Sequence, residues 1–217
     1  MKKSHSFQTN HAVEAYSASR DLWDTPIFES HSFVALPTVG ALVEGWLLVV
    51  PREPVLSFSQ LPTSLFPELE VFLDEVVSAV QSTYGPVSVF EHGPSCNAST
   101  VGCGVDYAHL HLVPVHCDLL AGAQQIAPNI RWTEARSIKE IHQHAASVGG
   151  YWFVQQTYES GHCHVGTCPY GKPTSQLFRR VIANHLGCPS TYDWKRDLGE
   201  TMIAATVEKL TKLVIFA

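Results

Sequence analysis

The stretch Gly102-Cys103-Gly104-Val105-Asp106-Tyr107-Ala108-His109-Leu110-His111-Leu112-Val113 decides the reading of this chain. Ala108 to Val115 alternates histidine with leucine and ends in Val113-Pro114-Val115, the pattern of a strand. Residues two apart in a strand share a face, so Tyr107, His109 and His111 line one side and Ala108, Leu110 and Leu112 the other. The apolar side belongs on a core. Two imidazoles and a phenol beside a glycine-rich turn, whose N–H groups can approach an anion, suit phosphate chemistry. One imidazole can attack phosphorus while its neighbours orient it and stabilise charge on the phosphoryl oxygens. A solvated strand face carrying surface histidines has the same pattern, and the spacing alone does not separate the two.

Upstream, Ile27 to Ala35 reads as a strand and Leu47 to Val50 as a second, with Gly40 and Gly45 marking the turn between them. From Ser64 the period changes: Leu65, Leu69, Phe72, Val76 and Val80 recur at three- and four-residue steps. Pro67 stands near the start and Gly85-Pro86 at the end, so this is a helix. Val87 to Phe90 is a short strand followed by a polar loop from Gly93 to Thr100. Downstream, Ser137-Ile-Lys-Glu140 has the form of a capping box opening a helix toward His144. Tyr151 to Gln156 reads as a strand, and Ser175 to His185 and Leu198 to Leu213 as helices. Strands precede and separate helices without a regular βαβ beat, so the class expected is α+β. No repeat or linker divides residues 1–217, which are read as a single domain.

The composition narrows the function classes. The 217 residues are 45% hydrophobic and 16% charged, which excludes a disordered chain. The 14 Lys+Arg against 20 Asp+Glu leave a net charge of −6, which argues against a nucleic-acid binder that neutralises many phosphates. A small nucleotide-like anion needs only a few local donors. The 12 histidines, nearly as many as all Lys and Arg together, are the compositional anomaly. Met1 to Phe7 is basic with no apolar run behind it, unlike a signal peptide, and Ala35 to Pro51 is broken by Pro37, Gly40, Glu44 and Gly45. A cytoplasmic protein with no membrane partner and reduced cysteines is expected. His162, Cys163, His164 and Cys168 put four soft ligands within seven residues. Adjacent side chains of an extended chain point opposite ways, so the stretch is read as a plain loop and no metal site is assigned.

Beyond these residue-level readings, the sequence resembles the histidine triad (HIT) superfamily. That family's signature is His-x-His-x-His followed by two apolar residues, and Tyr107-Ala-His109-Leu-His111-Leu-Val113 matches it at all but the first histidine. Gly102-Cys103-Gly104 resembles the small-residue turn leading into the triad. Phe90-Glu91-His92-Gly93 resembles the strand end found there in the galactose-1-phosphate uridylyltransferase branch. Gly45-Trp46-Leu-Leu-Val-Val-Pro51-Arg52 resembles the family's Gly-His-x-Leu-hydrophobic-Ile-Pro-Lys segment. Order and spacing agree over a triad core of about residues 25–117. The remainder, about 118–217, is similar to extensions in some uncharacterised bacterial members.

The resemblance implies a HIT-like antiparallel sheet with a long helix, plus an α/β C-terminal extension. It also implies a nucleotide hydrolase in which His109 attacks the α-phosphorus of a nucleoside polyphosphate, nucleotidyl sugar or phosphoramidate, forming a nucleotidyl-histidine. His111 is then the third triad member and Tyr107 replaces the first. A register with His109 first and His111 as nucleophile would leave Val113 in third place, and it loses the glycine-turn spacing. Tyr107 can hydrogen-bond but cannot carry an imidazole's proton near neutral pH, so two alternatives stand beside the hydrolase: a nucleotidyltransferase to another acceptor, and a nucleotide binder with little catalysis. Gly102, Cys103, Gly104, Glu91 and His92 are expected to face the substrate. Thr38, near the family's usual ribose-binding acid, and Trp46, where it often has histidine, are further departures. In the extension, a helix opening at Ser175 would offer free N–H groups to an anion, with Gln176, Arg179 and Arg180 as candidate contacts. No resident cofactor is implied, although a divalent metal can accompany the nucleotide, and two-fold pairing into a homodimer is the family's habit.

Overall fold

The structure is a computed structural model, and it describes residues 20–102, 105–141, 150–156, 162–168 and 173–216. The Met1–Phe7 segment, Cys103, Gly104 and the run toward His144 lie outside the described residues. Helix α1 (Arg20–Trp23) leads into strands β1 (Phe28–Glu29), β2 (Phe33–Pro37) and β3 (Leu47–Pro51). Helix α2 (Phe66–Tyr84) follows, then β4 (Ser88–Pro94), β5 (Leu110–Val113), α3 (Leu119–Ile126), β6 (Arg131–Ala135), β7 (Gly150–Gln155) and β8 (Cys163–Thr167). Helices α4 (Leu177–His185) and α5 (Glu200–Phe216) close the described chain. All eight strands form one antiparallel sheet in the order β1-β2-β3-β5-β4-β7-β8-β6. The class is α+β, and the strands of the C-terminal half extend the same sheet.

Alternation along the strands sorts residues between two cores. Leu47 and Val49 of β3, Val89 of β4, and Leu110 and Leu112 of β5 pack with Leu69, Phe72, Leu73, Val76, Val77 and Val80 of α2. Burying each such side chain contributes roughly 1.5–3 kcal/mol, so this stripe is the main hold of α2 on the sheet. On the other face, Trp46, Phe90, Val113, Trp152 and Val154 meet Leu119 and Ala123 of α3 and Phe178, Val181 and Ile182 of α4. Val34, Leu36, Leu48 and Val50 form a small separate cluster against Tyr107. The cleft lies on this second face, between that cluster and α4.

Several elements depart from the sequence reading. The strand expected over Ile27–Ala35 reverses at Ser30–Ser32, because the Glu68 carboxylate takes bonds of 2.7 Å from the Ser30 hydroxyl, the Ser32 N–H and the Ser32 hydroxyl. β4 runs on to Pro94, through the expected start of the polar loop, since Gly93 and Pro94 pair with Tyr151 and Gly150. Helix α3 was not anticipated; Asp118 caps it by accepting the Ala121 N–H at 2.9 Å, and the Gln156 amide oxygen takes the Leu119 N–H. β6 and β8 were not anticipated either, and β8 replaces the expected loop around Cys163. The capping box at Ser137 is not made: Ile138–Glu140 is one 3-10 turn whose Glu140 carboxylate accepts the Arg136 N–H at 3.0 Å. α4 opens at Leu177 instead of Ser175, because Gln176 is left-handed with φ of 55° and cannot continue a helix.

Candidate functional site

The cleft is lined by Thr38, Val39, Leu48, Val50, His92, Val105, Tyr107, His109, His111, Arg179 and Trp194, around about 550 Å³ of space that opens to solvent. His109 and His111 lie side by side with ring centroids 5.0 Å apart and planes at 76°. Both are buried. His111 is wedged by Phe90, whose ring stacks on it at 4.4 Å, and by the edge of Trp46.

Hydrogen bonds decide which nitrogen of each ring carries its proton. His109 Nδ1 lies 2.7 Å from the carbonyl oxygen of Tyr107, an acceptor only, so Nδ1 holds the hydrogen and Nε2 keeps its lone pair. His111 Nδ1 lies 3.1 Å from the Trp46 indole nitrogen, a donor only, so here Nδ1 accepts and Nε2 carries the hydrogen. Burial pushes the pKa of both imidazoles down. For His109 the bond to the Tyr107 carbonyl opposes the shift, while His111 is lowered further by His109, His92 and the Arg179 guanidinium. The two rings therefore stand neutral side by side, one presenting an Nε2 lone pair and the other an Nε2–H.

Tyr107 does not reach the neighbouring imidazoles with its hydroxyl. It donates to the Pro51 carbonyl at 2.6 Å, and burial together with the nearby Glu53 pushes its pKa up to about 12. The service that orients His109 comes from the Tyr107 main chain, which any residue in that place supplies.

The remaining sequence candidates divide. Thr38 is buried in the cleft wall, with its hydroxyl donating to the Val39 carbonyl at 3.3 Å. His92 lines the cleft, but its Nε2 accepts the Phe178 N–H at 3.3 Å and so ties the start of α4 to the sheet. Burial pushes its pKa down to about 3. The helix opens two residues after Ser175, and one N–H of its first turn, that of Phe178, is taken by His92. Glu91 was expected to point with His92 into one pocket, and it does not. Neighbouring strand residues face opposite ways, and Glu91 sits in the α2-side core, accepting the Phe58 N–H at 2.9 Å and bonding the Tyr151 hydroxyl. Gly102 is buried outside the lining, where its carbonyl accepts the Val105 N–H at 3.0 Å.

In the extension, Arg179 reaches the cleft and Arg180 and Gln176 do not. The Arg179 guanidinium donates to the carbonyls of Tyr192 (2.8 Å) and Gly40, and lies 4.9 Å over the Trp46 ring. Gly40 has φ of 74°, and a Cβ there would come within 2.6 Å of Trp194 and 2.7 Å of the guanidinium, so only glycine lets that loop approach. Arg180 stacks on Tyr192 at 3.7 Å and bonds the Ser175 carbonyl. Gln176 donates to Asp193 at 3.1 Å and accepts the Trp194 N–H at 3.3 Å, a structural clamp on the loop that carries Trp194. Sequence reasoning missed Trp194 and Val105 as lining residues and missed the Trp46–His111 bond. Cys163 is buried in the α2-side core, whereas His162 faces Glu134 at an exposed edge. Among the described residues no group of three or more His, Cys, Asp or Glu side chains could hold a metal ion, and no helix is long and apolar enough to cross a membrane.

No protein-family model matches the chain, and no curated protein does. Several solved structures are similar to parts of it, three of them as follows. A HIT-like protein involved in cell-cycle regulation from Bartonella henselae is 19% identical over 42% of this chain and 68% of that one, with a TM-score of 0.35. A hypothetical histidine triad nucleotide-binding protein from Sulfolobus tokodaii is 16% identical over 43% of this chain and 62% of that one, with a TM-score of 0.35. A protein from Streptococcus mutans UA159 is 19% identical over 56% of this chain and 86% of that one, with a TM-score of 0.36.

Proposed function

We propose that this chain is a histidine triad protein that binds a small nucleotide and hydrolyses it through a nucleotidyl-histidine on His109. The observation that carries the reading is the pair of opposite tautomers: His109 held by a main-chain carbonyl with Nε2 unprotonated, beside His111 held by an indole with Nε2–H as donor. The first can attack phosphorus, and the second can hydrogen-bond a phosphoryl oxygen as charge builds on it. Thr38, Val39, Leu48 and Val50 offer an apolar wall for base and sugar, and the Arg179 charge favours an anionic ligand in the cleft. A divalent cation would enter with the substrate's phosphates and not as a resident group. Pairing into a two-fold dimer belongs to the same proposal and is read by light scattering.

The test is intact-mass analysis after brief incubation with diadenosine tetraphosphate or adenosine 5′-phosphoramidate and an acid-free quench. An adenylate-sized adduct that disappears in His109→Ala, with kcat reduced more than ~10⁴-fold, supports the reading. An adduct that survives His109→Ala and disappears in His111→Ala assigns the nucleophile to His111. Tight nucleotide binding without adduct or product makes the chain a binding protein and overturns the enzymatic reading.

A further inference from the structure

We infer that the cleft takes phosphoanhydride substrates, whose leaving group departs as a stable anion, and that Trp46 is the positioning residue that imposes this choice. The inference rests on the His109 nucleophile proposed above and names the substrate class for that site.

Each imidazole in the cleft has one nitrogen committed. His109 Nδ1 donates to the Tyr107 carbonyl, His111 Nδ1 accepts from the Trp46 indole at 3.1 Å, and His92 Nε2 accepts from the Phe178 N–H at 3.3 Å. Indole and peptide N–H groups only donate. A second proton on His111 or His92 would therefore confront a fixed donor, and either ring would have to break its bond to become imidazolium. The Arg179 guanidinium, 4.9 Å over the Trp46 ring, adds a positive charge that opposes protonation of the same two rings. The other proton-bearing side chains of the lining are engaged with carbonyls: Tyr107 with Pro51 at 2.6 Å and Thr38 with Val39 at 3.3 Å. Apart from His109, whose lone pair is spent on phosphorus as the nucleophile, the lining among the described residues thus holds hydrogen-bond donors and no side chain that can surrender a proton near neutral pH.

The chemistry follows from that inventory. The His109 Nε2 lone pair forms a bond to the α-phosphorus, and the bridging P–O bond breaks with its electron pair going to the departing phosphate oxygen. A phosphate leaving group ionises near pH ~6 and departs without a proton. An amine would have to leave as an amide anion or be protonated first, and nothing described in the cleft protonates it. Water then attacks the phosphorus, the P–N bond breaks, the electron pair returns to Nε2, and one proton passes to solvent. Trp46 enters through His111. A ring at position 46 able both to donate and to accept could pass a proton through His111 to the leaving group, and an indole cannot.

Two measurements test this. The first compares kcat/KM for diadenosine tetraphosphate and adenosine 5′-phosphoramidate on the full chain. General acid assistance contributes about 10² to 10⁴-fold, so the anhydride is expected to be favoured at least ~10²-fold. Trp46→His should narrow that ratio by about tenfold or more. Equal or faster turnover of the phosphoramidate by the wild-type protein overturns the inference while leaving the nucleophile reading intact. If neither substrate gives adduct or product, the proposed function falls and this substrate class with it. The second measurement needs no turnover: ¹⁵N NMR of the histidine rings in the resting protein. His111 is expected to show unprotonated Nδ1 and protonated Nε2 throughout pH 5–8, and to begin titrating in Trp46→Phe. A protonated Nδ1 on wild-type His111 overturns the role of Trp46.

Discussion

Glu91 and His92 are neighbours on β4, both buried, and they show what the two faces of the sheet do with an ionisable side chain. On the α2 face, burial pushes the Glu91 carboxyl up to about 8, partly offset by its bonds to the Tyr151 hydroxyl and the Phe58 N–H. On the cleft face, burial pushes the His92 imidazole down to about 3, with His109 and Arg179 adding to the shift. Low dielectric selects the neutral form in both cases. The outcomes are opposite because an acid becomes neutral by keeping its proton and a base by losing one. One face thus stores a proton inside a core, and the other presents three proton-poor imidazoles to a cleft.

The comparison can be broken by removing its members. Glu91→Ala leaves the Phe58 N–H and the Tyr151 hydroxyl without their shared acceptor in a dry core, and should cost about 3–5 kcal/mol in urea unfolding. Nucleotide binding by the folded fraction should be unchanged, since Glu91 faces away from the cleft. A loss of binding in folded protein would mean that the two faces are not independent.

The two faces also predict opposite pH slopes. Glu91 binds its proton more tightly folded than unfolded, so its contribution is complete below pH 4.5 and is lost as pH rises through about 8. His92 binds its proton less tightly folded, so its contribution is complete above pH 6.5 and is lost as pH falls toward about 3. Below pH 4.5 stability should rise with pH, and between 6.5 and 8 it should fall. Glu91→Gln, which mimics the protonated carboxyl, should flatten the alkaline side alone. Denaturation midpoints from pH 4 to 9 check this, and an unchanged alkaline slope in Glu91→Gln would assign that slope to another group.

The smallest expected effect concerns Tyr107. Tyr107→Phe removes the bond to the Pro51 carbonyl at a half-buried site and should cost about 1 kcal/mol. Because the carbonyl that holds His109 belongs to the main chain, kcat should stay within about twofold. A large fall in kcat would show that the hydroxyl takes part in the reaction.

Much of this arrangement is legible along the chain where it depends on alternation alone. The period of two places His109 and His111 on one face and Leu110 and Leu112 on the other, and the structure keeps that division. The same rule separates Glu91 from His92, which stand on opposite faces of β4. Helix α2 follows from its apolar stripe, whereas α4 begins two residues later than its sequence suggests because Gln176 turns left-handed to bond Asp193 and Trp194. β6 and β8 escape notice because Arg131–Ala135 is largely exposed and Cys163–Thr167 is interrupted by Gly166, so neither shows a clear alternation.

By itself the sequence determined the class, the long helix, and the face on which each histidine of the key strand stands. These follow from backbone geometry within a few residues. For His109 the acceptor is local, the Tyr107 carbonyl two residues back, but for His111, His92 and Glu91 tertiary structure alone decided where the proton sits. The partners responsible come from far along the chain: Trp46 meets His111 across 65 residues, Phe178 meets His92 across 86, and Tyr151 meets Glu91 across 60. A side chain's direction is a local property of the strand, but its protonation depends on burial and on the donors and acceptors that the sheet and α4 bring to it. For that reason the histidine missing at position 107 was visible in the sequence, and the Trp46 indole that sets the opposite tautomer on His111 was not.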